Sequence, residues 1–242
     1  MDAEQQDALT KIRRFYDSVY YGRIAERRPV SSHLRRLARR IGITQGMRLL
    51  DVGCGTGEWL RAARERGAQP SGIDLSHKAI DACKAAMPEG DFRCGPAETL
   101  PFSDASFHWV TCLGSLEHFV DPARALREMA RVARPDAGLL ILVPNADFLT
   151  RRLGLYRGTH QTDAKEEVRT LEQWQALFES AGFAARERWR DLHVLSLDWI
   201  SATSWRAVPL RALQALALCV WPLRWQYQVY FRCARRASSA SL

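Results

Sequence analysis

Two acids and three glycines in a fixed order single out one stretch of the chain, Arg48-Leu49-Leu50-Asp51-Val52-Gly53-Cys54-Gly55-Thr56-Gly57-Glu58-Trp59-Leu60, and the segment that follows it. An apolar run ends in Asp51, passes through Gly53, Gly55 and Gly57 in alternation, and opens onto a helical pattern at Glu58. Glycines at such a strand-to-helix turn let the backbone bend sharply and let a ligand lie against the main chain. The second acid, Asp74, ends the next apolar run, Pro70-Ser71-Gly72-Ile73-Asp74-Leu75-Ser76. A carboxylate at that remove from a glycine turn is placed to accept hydrogen bonds from the hydroxyl pair of a ribose. The chemistry on offer is therefore nucleoside binding. The spacing is GxGxG led by an acid, not the GxGxxG of pyridine-dinucleotide sites.

The elements that must hold these residues follow from the pattern on either side. Glu58 to Gly67 reads as a helix stopped by glycine, and Ser71 to Leu75 as a strand. Ser76 caps a helix through Ala86 that Pro88 breaks, and Phe92 to Cys94 is a short strand. Trp109 to Leu113 is a fourth strand. Asp121 and Pro122 open a helix through Arg134, and Pro135-Asp136-Ala137-Gly138 turns into a fifth strand, Leu139 to Val143. Strands that are near-continuous apolar runs alternating with helices predict a parallel sheet covered on both faces. Ligands of such sheets sit beyond the carboxyl ends of the strands, where Gly53, Gly55, Asp74, Ala97, Gly114 and Asn145 all fall. Before the first strand, Leu9, Ile12, Phe15, Tyr16, Val19 and Tyr20 recur at helical spacing. Ser31 to Ile41 sets Leu34, Leu37, Ala38 and Ile41 against four arginines, the pattern of an amphipathic surface helix.

Composition bounds the reading. In 242 residues, 47% are hydrophobic and 10% aromatic, ample for a core and unlike a disordered chain. The net charge of +8 admits a polyanionic partner, but solvated surface arginines account for it equally without one. Six cysteines without CxxC spacing read as reduced, mostly buried thiols rather than a disulfide frame or zinc site. The polar, acidic start Met1 to Asp7 is unlike a secretory signal, so a cytoplasmic location is expected.

Five passages in order, LLDVGCGTGEWL, GIDLS, AETLPFSDASF, LEHFVDPARALREMARVARPDAG and VPN, resemble the class I S-adenosylmethionine-dependent methyltransferases. Within them the likeness is to the small-molecule group, methyltransferase type 11 and ubiquinone-biosynthesis-like, and it covers roughly residues 46–182. The resemblance implies a doubly wound, Rossmann-like sheet of seven strands with an antiparallel last strand and helices on both faces. It implies one domain over residues 1–242: a helical cap (1–45), the cofactor-binding core (46–145), a substrate loop, helix and sixth strand (146–189), a tryptophan-rich helical insertion (190–225), and the last strand with its tail (226–242). S-adenosylmethionine would be the cofactor, with no metal. Its methionine moiety would lie at Asp51, Gly53, Cys54 and Gly55, its ribose at Asp74, and its adenine near Leu75, Ala97 and Glu98. Leu113 and Gly114 would lie beneath the sulfonium, and Tyr16 and Tyr20 of the cap would close over it. Two departures stand out. Pro96 replaces the acid that in many relatives meets the adenine amino group, and His108 stands where relatives carry an acid.

Transfer from a sulfonium is an in-line displacement on an activated donor, so the protein contributes chiefly proximity and alignment. A base is needed only for an acceptor that arrives protonated. His118, just past the fourth strand, and His160, in the loop from Arg151 to Val168, are the candidates; a positioning role for His118 and a solvated one for His160 stand beside catalysis. The insertion carries Trp199, Trp205, Trp221 and Trp225 and an apolar run from Ala207 to Leu223, too short and too interrupted by Arg211, Gln214 and prolines to span a bilayer. Three readings of it stay open: a helix packed on the core, a wall for a lipophilic substrate, or a peripheral contact of residues 199–225 with the inner membrane surface. The expected acceptor is oxygen or nitrogen of a small lipophilic or aromatic metabolite. RNA or DNA methylation, and a non-catalytic S-adenosylmethionine-binding scaffold, are the alternatives. The absence of Asn-Pro-Pro-Tyr-like and Pro-Cys motifs argues against nucleic acid, and nothing indicates an oligomeric state.

Overall fold

A computed structural model describes residues 3–21, 30–154, 167–193 and 208–236. Strands β1 (Arg48–Val52), β2 (Gln69–Asp74), β3 (Asp91–Cys94), β4 (Phe107–Leu113), β5 (Ala133–Pro144), β6 (Phe183–Arg190) and β7 (Gln228–Arg235) form one sheet in the order β3-β2-β1-β4-β5-β7-β6. β1 to β5 pair in parallel, while β7 runs antiparallel to both β5 and β6. The order reverses between β1 and β4. That reversal opens a crevice at their carboxyl ends, the position at which doubly wound sheets bind ligands.

Helix α1 (Ala3–Phe15) continues into a π-helical turn, Tyr16–Tyr20. It is followed by α2 (Ser32–Arg40), α3 (Glu58–Arg64), α4 (His77–Ala86), α5 (Pro122–Val132), α6 (Leu149–Arg152), α7 (Leu171–Ser180) and α8 (Val208–Val220). Two hydrophobic clusters lie on opposite faces of the sheet. Leu37, Trp59, Leu60, Cys83 and Met87 of α2 to α4 and the turn after α4 pack against one face, and Leu126, Met129, Trp174 and Phe178 of α5 and α7 against the other. The arginine-rich side of α2 faces solvent, as its periodicity predicts. The helix starts are set by side-chain caps. Ser76 accepts from the amide of Ala79 and Asp121 from that of Arg124, while Thr170 and Gln173 exchange bonds in a capping box. Replacing Thr170 by alanine should lower unfolding stability by about 1 kcal/mol. A urea midpoint unchanged in Thr170→Ala would show that the cap contributes nothing.

β5 and β7 begin elsewhere than the sequence reading places them, and His108 has a structural role. β5 begins at Ala133, straight out of α5, and its register against β4 jumps from Phe107↔Ala133 to Trp109↔Gly138. Pro135, Asp136 and Ala137 are thus an irregularity inside the strand rather than a turn before it. Gly138 is required there, because the Trp109 ring lies 2.4 Å from where its Cβ would stand. β7 begins at Gln228 instead of Gln226. Gln226 is spent on the end of the insertion, its amide donating to the carbonyls of Leu218 and Trp221. His108 lies away from the carboxyl edge: its Nδ1 accepts from the amide of Arg48 at 3.0 Å, closing the entrance to β1.

Of the insertion, α8 and the segment after it are described, whereas Trp199 and Trp205 lie outside the described residues. Leu216 and Val220 of α8 are exposed. Among the described residues no helix is long and apolar enough to cross a membrane.

Candidate functional site

The glycine turn is built by backbone geometry that side chains resist. Gly53, Gly55 and Gly57 all have positive φ, at 76°, 51° and 75°. The amides of Gly53 and Cys54 both donate to the carbonyl of Ile73, which clamps the turn to the end of β2. A Cβ on Gly53 would stand 2.5 Å from that of Ser115, whose hydroxyl donates to the Gly53 carbonyl at 3.2 Å. Above Gly55, the Tyr21 hydroxyl lies 2.9 Å from where a Cβ would be.

Asp74 sits beside this turn. Its Oδ2 accepts from the amide of Gly55 and its Oδ1 from that of Ser76, both at 2.9 Å. Burial pushes its carboxyl above the ordinary range, these amide bonds oppose that, and the nearby Asp17 adds to the rise. Asp17 belongs to the π-helical turn and accepts from the Ser76 hydroxyl at 2.6 Å, so the N-terminal cap is pinned next to Asp74. Below the turn, Asp51 is fully buried and its Oδ1 accepts from Thr111 Oγ1 at 2.6 Å. The Trp59 indole donates to the same hydroxyl at 3.0 Å. Burial raises the Asp51 carboxyl to about 7, against the lowering effect of the Thr111 bond.

The loop after β3 is held by α5. Arg131 donates to the carbonyls of Leu100 and Phe102, Glu128 accepts from the amide of Leu100, and Arg124 donates to the carbonyl of Glu98. This sets Ala97 and Glu98 against the end of β2. Glu98 is buried, with Oε1 accepting from the amide of Asp121 at 3.1 Å.

The result is one narrow cleft at the carboxyl edge, lined by Gly53, Asp74, Leu75, Ala97, Glu98 and His118 together with Leu9, Ile73, Gly95, Phe119 and Val120. Six of the residues singled out by sequence thus meet in it. Gly55 joins them through its bond to Asp74. Leu113 and Gly114 end β4 one strand along the edge, with the Gly114 amide donating to the carbonyl of Leu142. The Cys54 side chain points away from the cleft, against Gly72. The neighbouring Cys83 and burial hold its thiol well above the usual range. Tyr16 stands in the cap with its ring centroid 6.0 Å from that of Tyr21; the Tyr20 side chain and His160 lie outside the described residues.

Sequence reasoning met Leu9, Asp17 and Tyr21 only as parts of the N-terminal cap, and it gave Thr111 and Ser115 no role in the site. Tyr21 adjoins a residue it had chosen, and Ser115 follows Gly114 directly; Thr111 carries no local signal, since only the β1–β4 register places it opposite Asp51.

These residues fit S-adenosylmethionine. The carboxylate oxygens of Asp74 each accept one amide bond and keep capacity for ribose hydroxyls. Ile73, Leu75, Ala97 and Val120 offer apolar walls for a flat base, and the side-chain-free Gly53 leaves main chain open beside them.

Residues 50–141 match the family model described as a methyltransferase domain. The chain is similar to the ubiquinone biosynthesis O-methyltransferase of Idiomarina loihiensis, 35% identical over 120 residues that make up 48% of this chain and 49% of that protein. It is similar to the demethylmenaquinone methyltransferase of Renibacterium salmoninarum, 30% identical over 176 residues, 72% of each chain. The chain spans about half the length of the ubiquinone-biosynthesis relatives that it matches. Its fold is similar to that of the S-adenosylmethionine dependent methyltransferase of Mesorhizobium loti, with a TM-score of 0.63 at 19% identity over 84% of this chain and 98% of that one. Because the likeness to the Renibacterium enzyme extends past the glycine turn and over most of both chains, the chain belongs to the S-adenosylmethionine-dependent methyltransferase family.

Proposed function

We propose that this chain methylates a hydroxyl oxygen of a small, lipophilic or aromatic metabolite, with S-adenosylmethionine as donor. The observation that carries the reading is the cleft itself, which sets the Asp74 carboxylate, the open main chain at Gly53 and the Ala97–Glu98 loop around one space at the strand ends. The donor supplies a methyl group already activated on a positively charged sulfur. Asp74 binds its ribose hydroxyls, and Leu75 and Ala97 flank its adenine. Pro96 offers neither a side-chain acceptor nor an N–H, so the polar edge of the base falls to the main chain of Ala97 and to Glu98. Asp51 and the main chain of Gly53 and Gly55 hold the methionine end, Leu113 and Gly114 floor the reacting end, and Tyr16 of the cap shields it. His118, on the cleft wall, orients the two reactants. The names of two relatives favour oxygen over nitrogen as the acceptor, and the ubiquinone and menaquinone names favour quinone precursors as its class. The exposed apolar face at Leu216 and Val220 suits a lipophilic acceptor delivered at the inner membrane surface of a cytoplasmic protein.

Calorimetry with S-adenosylmethionine and S-adenosylhomocysteine should show saturable binding of each at one site. Tritiated methyl transfer into an extract from a strain lacking this protein should place the label in the organic phase. Binding of neither nucleoside would overturn the cofactor; label confined to RNA would overturn the acceptor class.

A further inference from the structure

Two irregularities of the sheet meet at its amino edge, the end opposite the nucleoside cleft. The register of β5 against β4 jumps from Ala133 to Gly138, and its pairing with β7 begins only at Gly138, so residues 134–137 pair with neither neighbour. Between β6 and β7, Ala185 faces Cys233 and Glu187 faces Arg232, which makes Arg186 the extra residue of a bulge. Bulges bend a strand and re-aim a side chain, and they are frequent beside ligand sites. Both irregularities open onto one groove of about 460 Å³: Asp136, Ala137 and Gly138 line it from the first, Arg186 and Glu187 from the second.

The charges of this groove do not cancel. Asp136 faces Arg134 at 3.2 Å and Glu187 faces Arg40 at 2.7 Å, two arginines from outside the lining. Arg232 reaches Glu187 only at 3.9 Å, and its guanidinium lies 5.5 Å from the centre of the Trp109 ring. Arg186 makes no hydrogen bond or ion pair among the described residues. The surplus charge is therefore positive and sits on Arg186 and Arg232. His108 adds a donor to the lining: its Nδ1 is engaged by the Arg48 amide, so the neutral ring carries its proton on Nε2. Met47, Trp109, Ala137 and Cys233 supply the apolar surface.

We infer that this groove is a second ligand site, which binds a small, flat arene carboxylate. The carboxylate pairs with the planar fork of Arg186, whose parallel N–H groups match its two oxygens, and His108 Nε2 is a further donor. The ring covers the apolar floor, where the Arg232 guanidinium favours its π face. Size agrees with an organic ligand: such pockets run from about 300 to 1,000 Å³, far more than one inorganic ion fills. The paired acids at the rim select a single negative charge. A dianion would meet Asp136 and Glu187 with no further cation to offset the repulsion.

The site is separate from the one that binds the nucleoside. Trp109 stands near the start of β4 and Leu113 at its end, and Met47 precedes β1 while Gly53 follows it. A strand of that length spans on the order of 20 Å, so a ligand in the groove touches none in the cleft. The inference therefore stands independently of the methyl-transfer reading.

The test titrates the full chain with 2-naphthoate by calorimetry, with 2-naphthamide and inorganic phosphate as companion probes. The naphthoate should bind saturably at one site, with the same affinity when excess S-adenosylhomocysteine is present. The amide lacks the charge and phosphate lacks the apolar body, so each should bind at least about tenfold more weakly. Arg186→Gln, made at an exposed side chain, should lose at least about tenfold in naphthoate affinity. Arg186→Lys keeps the charge without the fork and should fall between that variant and the wild type. Arg188→Gln should bind as the wild type does, because Arg188 lies over the Phe231 ring on the opposite face of the sheet. Urea midpoints matching the wild type show that the variants are folded. Equal naphthoate affinity in Arg186→Gln and wild type would overturn the inference. So would loss of binding on adding S-adenosylhomocysteine, phosphate bound as tightly as naphthoate, or no saturable binding at all.

Discussion

Asp74→Ala should weaken S-adenosylmethionine binding by roughly 1–3 kcal/mol, or about five- to 150-fold in Kd, the cost of losing a pair of hydrogen bonds to a charged acceptor. The effect has two parts. The ribose hydroxyls lose their carboxylate, and the amides of Gly55 and Ser76 lose the acceptor that fixes the turn beside them. Asp74→Asn separates these, because its remaining carbonyl oxygen still accepts one amide bond while the charge is gone. Calorimetry on both variants should give an order of wild type, then Asn, then Ala. Affinity unchanged in Asp74→Ala would mean that the ribose is held elsewhere.

Asp51→Asn should change the pH dependence of stability more than any other single substitution in the site. With the folded carboxyl raised to about 7, the folded chain holds a proton that the unfolded chain releases near the ordinary carboxylate value. Stability therefore falls as pH rises through that window, by up to about 1.4 kcal/mol per pH unit, and levels off above the folded value. An amide at position 51 still accepts from Thr111 and never ionises. The variant should gain on the wild type steadily from acid to neutral pH, and the gap should plateau in mild alkali. Denaturant midpoints measured as a pH series check this; a gap that does not widen with pH would show that Asp51 is not held protonated by burial.

The nucleoside side of the site was legible because local chemistry marks it. Strand ends carry Asp51 and Asp74, alternating glycines mark a turn that needs positive φ, and Ser76 and Asp121 announce helix starts. Tyr21 was seen beside Tyr20 but not chosen for the site, for a definable reason. Helical periodicity selects Tyr16 and Tyr20, but the Tyr21 amide donates to the carbonyl of Tyr16, five residues back. That π-type bond rotates the cap by an extra residue and brings Tyr21 over Gly55. The early start of β5 was hidden because Pro135, Asp136 and Gly138 have turn chemistry, which a strand irregularity uses equally well. His108 looked anomalous as a replaced acid, yet an imidazole nitrogen accepts an amide bond as a carboxylate would. The cluster of His33, Asp191, His193 and Tyr230 has no sequence signature at all. Residues 33, 191, 193 and 230 meet only because α2 crosses the β6–β7 end of the sheet, and no spacing encodes that.

The N-terminal turn of α2 has a further consequence. The Ser31 amide donates to Glu58 Oε1, in the first turn of the helix that leaves the glycines, and two residues later His33 grips Asp191 and Tyr230 across the sheet. Ser31 also caps α2 by accepting from the Leu34 amide. One short, capped segment therefore ties the helix after the glycine turn to β7 and the end of β6. Backside attack tolerates little error in separation, since a misplacement of about 1 Å can cost on the order of a hundredfold in rate. The spacing of Ser31 and His33, neither of which lines the cleft, fixes how far the glycine turn stands from β7 and the end of β6.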